Sequence, residues 1–571
     1  MFSSSLLLFS ALLSIAACAR THASPSVTIG RATIIGRALP TFQQEFFAGI
    51  PYAETPLGPR RLSPPVLKTR LDVDTFNASD YGFSCLQVDA PTEQVSEDCL
   101  TLNVLRPAGL PASAYPLPVM FWTYGGGYVS GNSSYFNASF IVAQSVARGT
   151  PILYVSFNYR LGPLGFPVGT EAAKHGALNL GLKDQLAALR WVHENIGFFG
   201  GDNSKVTLFG ESAGSSLTSL LFLNPALQPL ARAAIFESGS SATLGIYPPT
   251  RNELDWTHFA SFIPICSSLP PAHIFDCVRN NATSNDILAA TAAAQATSVN
   301  LFQWTPVLDG DLIKDLPSNY FARGEFAKIP FIAGTNLDEG TPFVPPSVNS
   351  AEALQGLLLG SVLRQDGNIS NASSPELQNG VESLLQLYPD DPTLGSPYNT
   401  GNDTFGLSST FKRTAALGRL LFSRNNYVST SYLQWAIFGS SPCVDNSRKL
   451  RLLPVFLPMV TFLTSRNPNC LDFMVVCLPH FVEVSYVYGA PLDPSGASVN
   501  LSRTIIDYWV SFATSLTPND GLGSSRPQWM PYSPTNKSIL QFNNANLTMI
   551  PDDFRSEQTE FINANTGLWR H

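Results

Sequence analysis

A serine held between two glycines at the end of an apolar run constrains this chain more than any other feature. The run Lys205-Val206-Thr207-Leu208-Phe209 reads as a buried strand, Gly210-Glu211-Ser212-Ala213-Gly214 follows it, and Ser215 to Phe222 can continue as a helix. A strand that turns into a helix within five residues needs a sharp corner. Glycine at 210 and 214 lets neighbouring backbone approach closely, and the corner then lifts the Ser212 hydroxyl above the sheet, as in a nucleophile elbow. By itself the pattern is also compatible with an ordinary glycine-flanked turn.

A second strand candidate, Val119-Met120-Phe121-Trp122-Thr123-Tyr124, runs into Gly125-Gly126-Gly127-Tyr128 upstream of the serine. Three glycines leave backbone N–H groups bare, and such donors can face an oxygen that becomes negative when a carbonyl is attacked. Gly126 and Gly127 are the candidates here, joined by the amide of Ala213 behind the nucleophile. The alternative is a flexible glycine hairpin.

These motifs, with Phe199-Gly200-Gly201-Asp202 leading into Val206 to Gly214, resemble the type-B carboxylesterases, a family of α/β-hydrolases that also contains cholinesterases and fungal lipases. Ser96-Glu97-Asp98-Cys99-Leu100-Thr101-Leu102-Asn103-Val104, Asn158-Tyr159-Arg160-Leu161-Gly162, and Asp184-Gln185 through Arg190-Trp191-Val192 resemble further blocks of the family in the same order. The resemblance is good from about residue 28 to 440. It implies an α/β-hydrolase fold, a large central mostly parallel mixed sheet flanked by helices on both faces. It also implies a serine carboxylic ester hydrolase with a small-molecule ester as substrate and without cofactor or metal.

A serine hydroxyl is a poor nucleophile until a base takes its proton. In this fold the acid follows the serine and the histidine comes last. Phe331 to Asn336 is an apolar run that opens into Leu337-Asp338-Glu339-Gly340. Position alone does not separate Asp338 from Glu339; the resemblance selects Glu339. Of the histidines, His22, His175, His193, His258 and His273 precede the acid, and His571 is the terminal residue, which leaves His480. Phe481 to Gly489 also resembles the segment behind the family's catalytic histidine. The expected triad is therefore Ser212, His480 and Glu339.

The first residues place that chemistry. Leu6 to Ala19 is apolar, too short to span a bilayer, and closes on small residues, so residues 1–19 are expected to be a secretory signal with cleavage after Ala19 or Ala23. Residues 24–571 are then expected to form one catalytic domain, secreted and without a stable membrane anchor. Glycosylation sequons at Asn77, Asn132, Asn137, Asn281, Asn368, Asn371, Asn402, Asn500, Asn536 and Asn546 agree with export. So does the cysteine usage, because the resemblance implies the pairs Cys85–Cys99 and Cys266–Cys277. Cys443, Cys470 and Cys477 remain an odd set whose irregular spacing, with no histidine pair, gives little support to a metal site. A formal net charge of −8 argues against nucleic acid or an anionic membrane as partner.

Two departures from the family pattern stand out. Residues 440–478 resemble nothing in it, so this stretch is either a surface insertion or translated non-coding sequence. Proline at 479 and Phe481 occupy a loop where the family usually has glycines, which can displace His480. The short Cys85–Cys99 loop contains no tryptophan. That argues against a large interfacial flap and against a cation–π site for a quaternary ammonium, ranking carboxylesterase above triacylglycerol lipase, and cholinesterase last. The family also holds non-catalytic adhesion proteins, but those lose the nucleophile that this chain keeps.

Overall fold

The apolar runs become strands, numbered in chain order: β1 (Ser26–Ile29), β2 (Ala32–Ile35), β3 (Arg37–Leu39), β4 (Gln44–Pro51), β5 (Thr75–Asn77), β6 (Thr101–Pro107), β7 (Leu117–Thr123), β8 (Leu153–Phe157), β9 (Gly201–Glu211), β10 (Ala233–Glu237), β11 (Phe331–Asn336), β12 (Leu433–Ile437), β13 (Ser538–Asn543) and β14 (Asn546–Pro551). The computed structural model describes residues 24–298, 302–345, 347–363, 374–422, 433–437, 480–543 and 546–569. The expected signal, residues 440–478 with Cys443, Cys470 and Cys477, the sequons at Asn368 and Asn371, and His571 lie outside the described residues.

Eleven of these strands form one sheet in the order β14-β13-β12-β11-β10-β9-β7-β8-β6-β4-β3. From β8 through β7, β9, β10, β11 and β12 to β13 every neighbour is parallel, and antiparallel pairs close both flanks. β8, β10 and β11 are buried at every position, as expected of parallel strands covered on both faces. Adjacent residues of β7 show the two covers. Thr123 accepts a hydrogen bond from Gln185 on the helix Leu180–Asn195, while Trp122 points the other way, against Phe136 and Tyr488. A small second sheet has the order β1-β2-β5.

Three of the sequence blocks supply residues of two buried ion pairs. Arg160 grips Asp184 through Nε and Nη2 at 2.8 and 2.7 Å, and Arg61 grips Glu97 at the same two distances. Both expected disulfides, Cys85–Cys99 and Cys266–Cys277, are formed. The sequons are not equivalent. Asn132 is buried, and its Oδ1 accepts from the amide and hydroxyl of Ser134, whereas Asn77, Asn137, Asn281, Asn402, Asn500 and Asn546 are exposed.

Candidate active site

β9 ends at Glu211 and a helix begins at Ala213, so Ser212 alone makes the corner, with φ 54° and ψ −126°. A non-glycine residue there is strained, and such strain concentrates where a site fixes a side chain. Its amide donates to the Glu237 carbonyl at 2.9 Å, tying the corner to β10. The glycine requirement is met literally. A methyl at Gly210 would lie 2.7 Å from the Thr123 carbonyl oxygen, and one at Gly214 would overlap the carbonyls of both Thr123 and Tyr124.

Those carbonyls end β7, which places the glycine loop beside the serine. A methyl at Gly125 would meet the Ser212 Cβ at 2.8 Å. Gly126 and Gly127 take φ of 100° and 62°, accessible to glycine at little cost. Among the described residues nothing accepts a hydrogen bond from the amides of Gly126, Gly127 or Ala213. Three donors near the serine in the chain and the fold are thus left without internal partners, that of Ala213 at the positive end of its helix.

Glu339 and His480 are brought together as expected. Nδ1 of His480 lies 2.5 Å from Oε2 of Glu339, both groups buried, across 141 residues of sequence. Oε1 of Glu339 accepts from the Asn336 amide at 2.6 Å and the Thr335 hydroxyl at 2.8 Å, which fixes the carboxylate at the end of β11. Asp338 is turned away, its Oδ1 accepting from the Ser396 hydroxyl and the Tyr398 amide. Phe343 meets the imidazole edge-on at 5.0 Å. Phe481 takes a left-handed φ of 79°, so the glycine-free loop reaches this position at a conformational cost of roughly 1–2 kcal/mol.

The serine end of the expected hydrogen-bonded line is open. Nε2 of His480 has no hydrogen-bond partner and lies 3.1 Å from Oε1 of Glu211, the residue before Ser212. Glu211 belongs to a set of buried carboxyls that the sequence reading missed, with Glu237 and Glu483. Trp509 Nε1 donates to Glu237 at 2.7 Å, Ser238 Oγ donates to Glu483 at 2.9 Å, and Asn336 Nδ2 also donates to Glu483. Burial, then the charge on Glu339, pushes Glu483 up to about 7. Burial also raises Glu211 and Glu237 well above the carboxylate range, favouring their neutral acids. For His480, burial lowers the pKa most, but the Glu339 charge, the hydrogen bond to Glu339 and the Glu483 charge together more than offset it, and the net shift is upward. Glu339 is likewise opposed by burial and held below its ordinary value by His480.

Residues 23–562 match the model of the carboxylesterase family. The chain belongs to that family. Curated relatives include "Secreted lipase 1" of Botryotinia fuckeliana, 32% identical over 95% of this chain and 93% of the relative. "Secreted triacylglycerol lipase LIP1" of Gibberella zeae is 30% identical, over 95% and 91%. "Lipase 2" of Geotrichum candidum is 29% identical, over 92% of each chain. Among solved structures, Aspergillus niger EstA superposes with a TM-score of 0.75 at 23% identity, covering 96% of this chain and 99% of that one. The shared fold is the α/β-hydrolase fold. As a family member the chain is an ester hydrolase, and the serine corner, glycine loop and buried Glu–His pair lie together where strands of its central sheet end.

Proposed function

We propose that this chain is a secreted serine carboxylesterase. Ser212 attacks the ester carbonyl while His480 takes its proton, and Glu339 holds the imidazole in the tautomer whose Nε2 can accept. The amides of Gly126, Gly127 and Ala213 stabilise the resulting oxyanion, each contributing roughly 3–4 kcal/mol to lowering the barrier. The alcohol leaves, an acyl group remains on Ser212, and water releases it with His480 again as base. The reading is carried by the buried 2.5 Å Glu339–His480 pair beside a serine corner whose neighbouring amides have no internal partner. Before the first step His480 Nε2 has to turn from Glu211 to Ser212. Such bonds are often long in unliganded enzymes and tighten when substrate binds.

For substrate class, the short Cys85–Cys99 loop favours a soluble ester over an emulsified one. Ser84 and Ser96 are hydrogen-bonded across it, and it is closed by its disulfide. The second reading, a triacylglycerol lipase, is favoured by the printed names of the relatives. Turnover of short-chain p-nitrophenyl esters against emulsified triacylglycerol decides between them. The esterase reading expects saturation below the solubility limit of the short ester and little hydrolysis of the emulsion. Activity that rises only once an emulsion forms would contradict it. Ser212→Ala should lower turnover on the order of a millionfold if the triad acts as a unit. Secretion is supported by the apolar leader sequence and by relatives named as secreted.

A further inference from the structure

The glycine loop is braced from a direction the catalytic reading does not use. The carbonyl of Gly126 accepts three hydrogen bonds, from the amides of Val129 and Ser130 at 3.1 and 3.0 Å and from the Ser130 hydroxyl at 3.2 Å. That carbonyl shares a planar peptide unit with the N–H of Gly127, and in a trans unit the two point in opposite directions. Fixing the oxygen therefore aims the Gly127 N–H. Hydrogen bonds to a carbonyl also polarise its peptide, which strengthens the donor at the far side.

The loop that supplies those donors is itself clamped. Gln87, buried at 2% exposure, pairs with both backbone groups of Gly131, as a neighbouring strand would. Its Oε1 accepts from the Gly131 amide at 2.8 Å, and its Nε2 donates to the Gly131 carbonyl at 3.0 Å. Nε2 also reaches the Cys85 carbonyl at 3.2 Å, so the clamp is rooted at the Cys85–Cys99 disulfide. Gly131 has φ of 109° and no room for a side chain, since a methyl there would lie 2.7 Å from the Tyr124 ring. A continuous path thus runs from disulfide to Gln87, to Gly131 and Ser130, to the Gly126 carbonyl, and across the peptide to the Gly127 amide.

We propose that Gln87 is a positioning residue for the reaction, setting the direction of the Gly127 oxyanion donor through Gly131 and Ser130. It touches no substrate and acts only through the loop. The inference rests on the reading of Gly127 as an oxyanion donor. Loss of the clamp should therefore weaken whatever depends on a charged oxygen and spare ground-state binding.

The test uses Gln87→Met, similar in length and unable to form either bond, and Ser130→Ala, which removes only the hydroxyl donor to Gly126. For each, kcat and KM are measured on a short p-nitrophenyl ester, and Ki on an alkyl trifluoromethyl ketone. The ketone carbon gains a bond to Ser212 Oγ, its C=O electron pair moves onto oxygen as an oxyanion, and the serine proton passes to His480. Active sites are counted with a fluorophosphonate, so partial misfolding lowers the count and leaves the per-site constants meaningful. Deleting one oxyanion donor typically costs 10²–10³ in kcat, so misaiming one is expected to cost about tenfold. Gln87→Met should lower kcat and raise Ki by that same factor with KM within twofold, and Ser130→Ala should do so several-fold. Unchanged kcat and Ki in both variants, or a rise in KM alone, would overturn the proposal. The underlying reading fails separately, by Ser212-independent turnover in the otherwise unaltered protein.

Discussion

Replacing Glu339 by glutamine tests the acid–base pair where its geometry leaves least freedom. Oε1 of Glu339 accepts from the Asn336 amide at 2.6 Å, and an amide N–H can only donate. The –NH₂ of a glutamine cannot occupy that place without setting two donors against each other, so it has to turn toward Nδ1 of His480, 2.5 Å from Oε2. Nδ1 must then accept, the proton moves to Nε2, and the imidazole can no longer take the proton of Ser212. A carboxylate-to-amide change of this kind in a serine triad lowers kcat by about 10⁴, which corresponds to roughly 5.5 kcal/mol of barrier. The assay is steady-state hydrolysis of a short p-nitrophenyl ester by Glu339→Gln, normalised to folded protein by circular dichroism and thermal melting. A loss below about tenfold in a folded variant would refute the reasoning, because the tautomer would then not be set by Glu339.

Three further outcomes follow from the same structure. Gly214→Ala should yield little active enzyme, since its methyl would overlap the Thr123 and Tyr124 carbonyls; fluorophosphonate labelling equal to that of the unaltered chain would contradict this. Because His480 must be neutral to act as base and its pKa is raised, the acid limb of kcat/KM should have its midpoint above the ordinary imidazole value of about 6.5, and a midpoint at or below that value would argue against Glu339 as its partner. Arg61→Met should cost about 3–5 kcal/mol in urea unfolding, because Glu97 would be left buried without its guanidinium, and a change under 1 kcal/mol would show the pair to be dispensable.

The elbow and the glycine loop were legible because their physics is local. A corner tight enough to exclude a methyl demands glycine, and the apolar runs beside it demand strands. The choice between Asp338 and Glu339 was not local. It depends on which side chain the turn after β11 swings toward His480, and that is settled by Ser396 and Tyr398, some 58 to 60 residues further on. Glu211, Glu237 and Glu483 carried no signal, because a glutamate reads as a solvent-facing residue until three-dimensional packing buries it. Gln87 was invisible for a similar reason, since one glutamine in a disulfide loop says nothing of a partner 44 residues away. The open serine end was also beyond the sequence, because the nearness of Glu211 to His480 Nε2 emerges only when the elbow meets the histidine loop.

The most direct measurement is mass spectrometry of the protein quenched during turnover of a slow ester, with the modified peptide located. The account predicts one acyl group per active chain, on Ser212, formed in a burst and absent from Ser212→Ala. Steady hydrolysis with no acylated intermediate under conditions that trap one, or acylation at another residue that persists in Ser212→Ala, would contradict it.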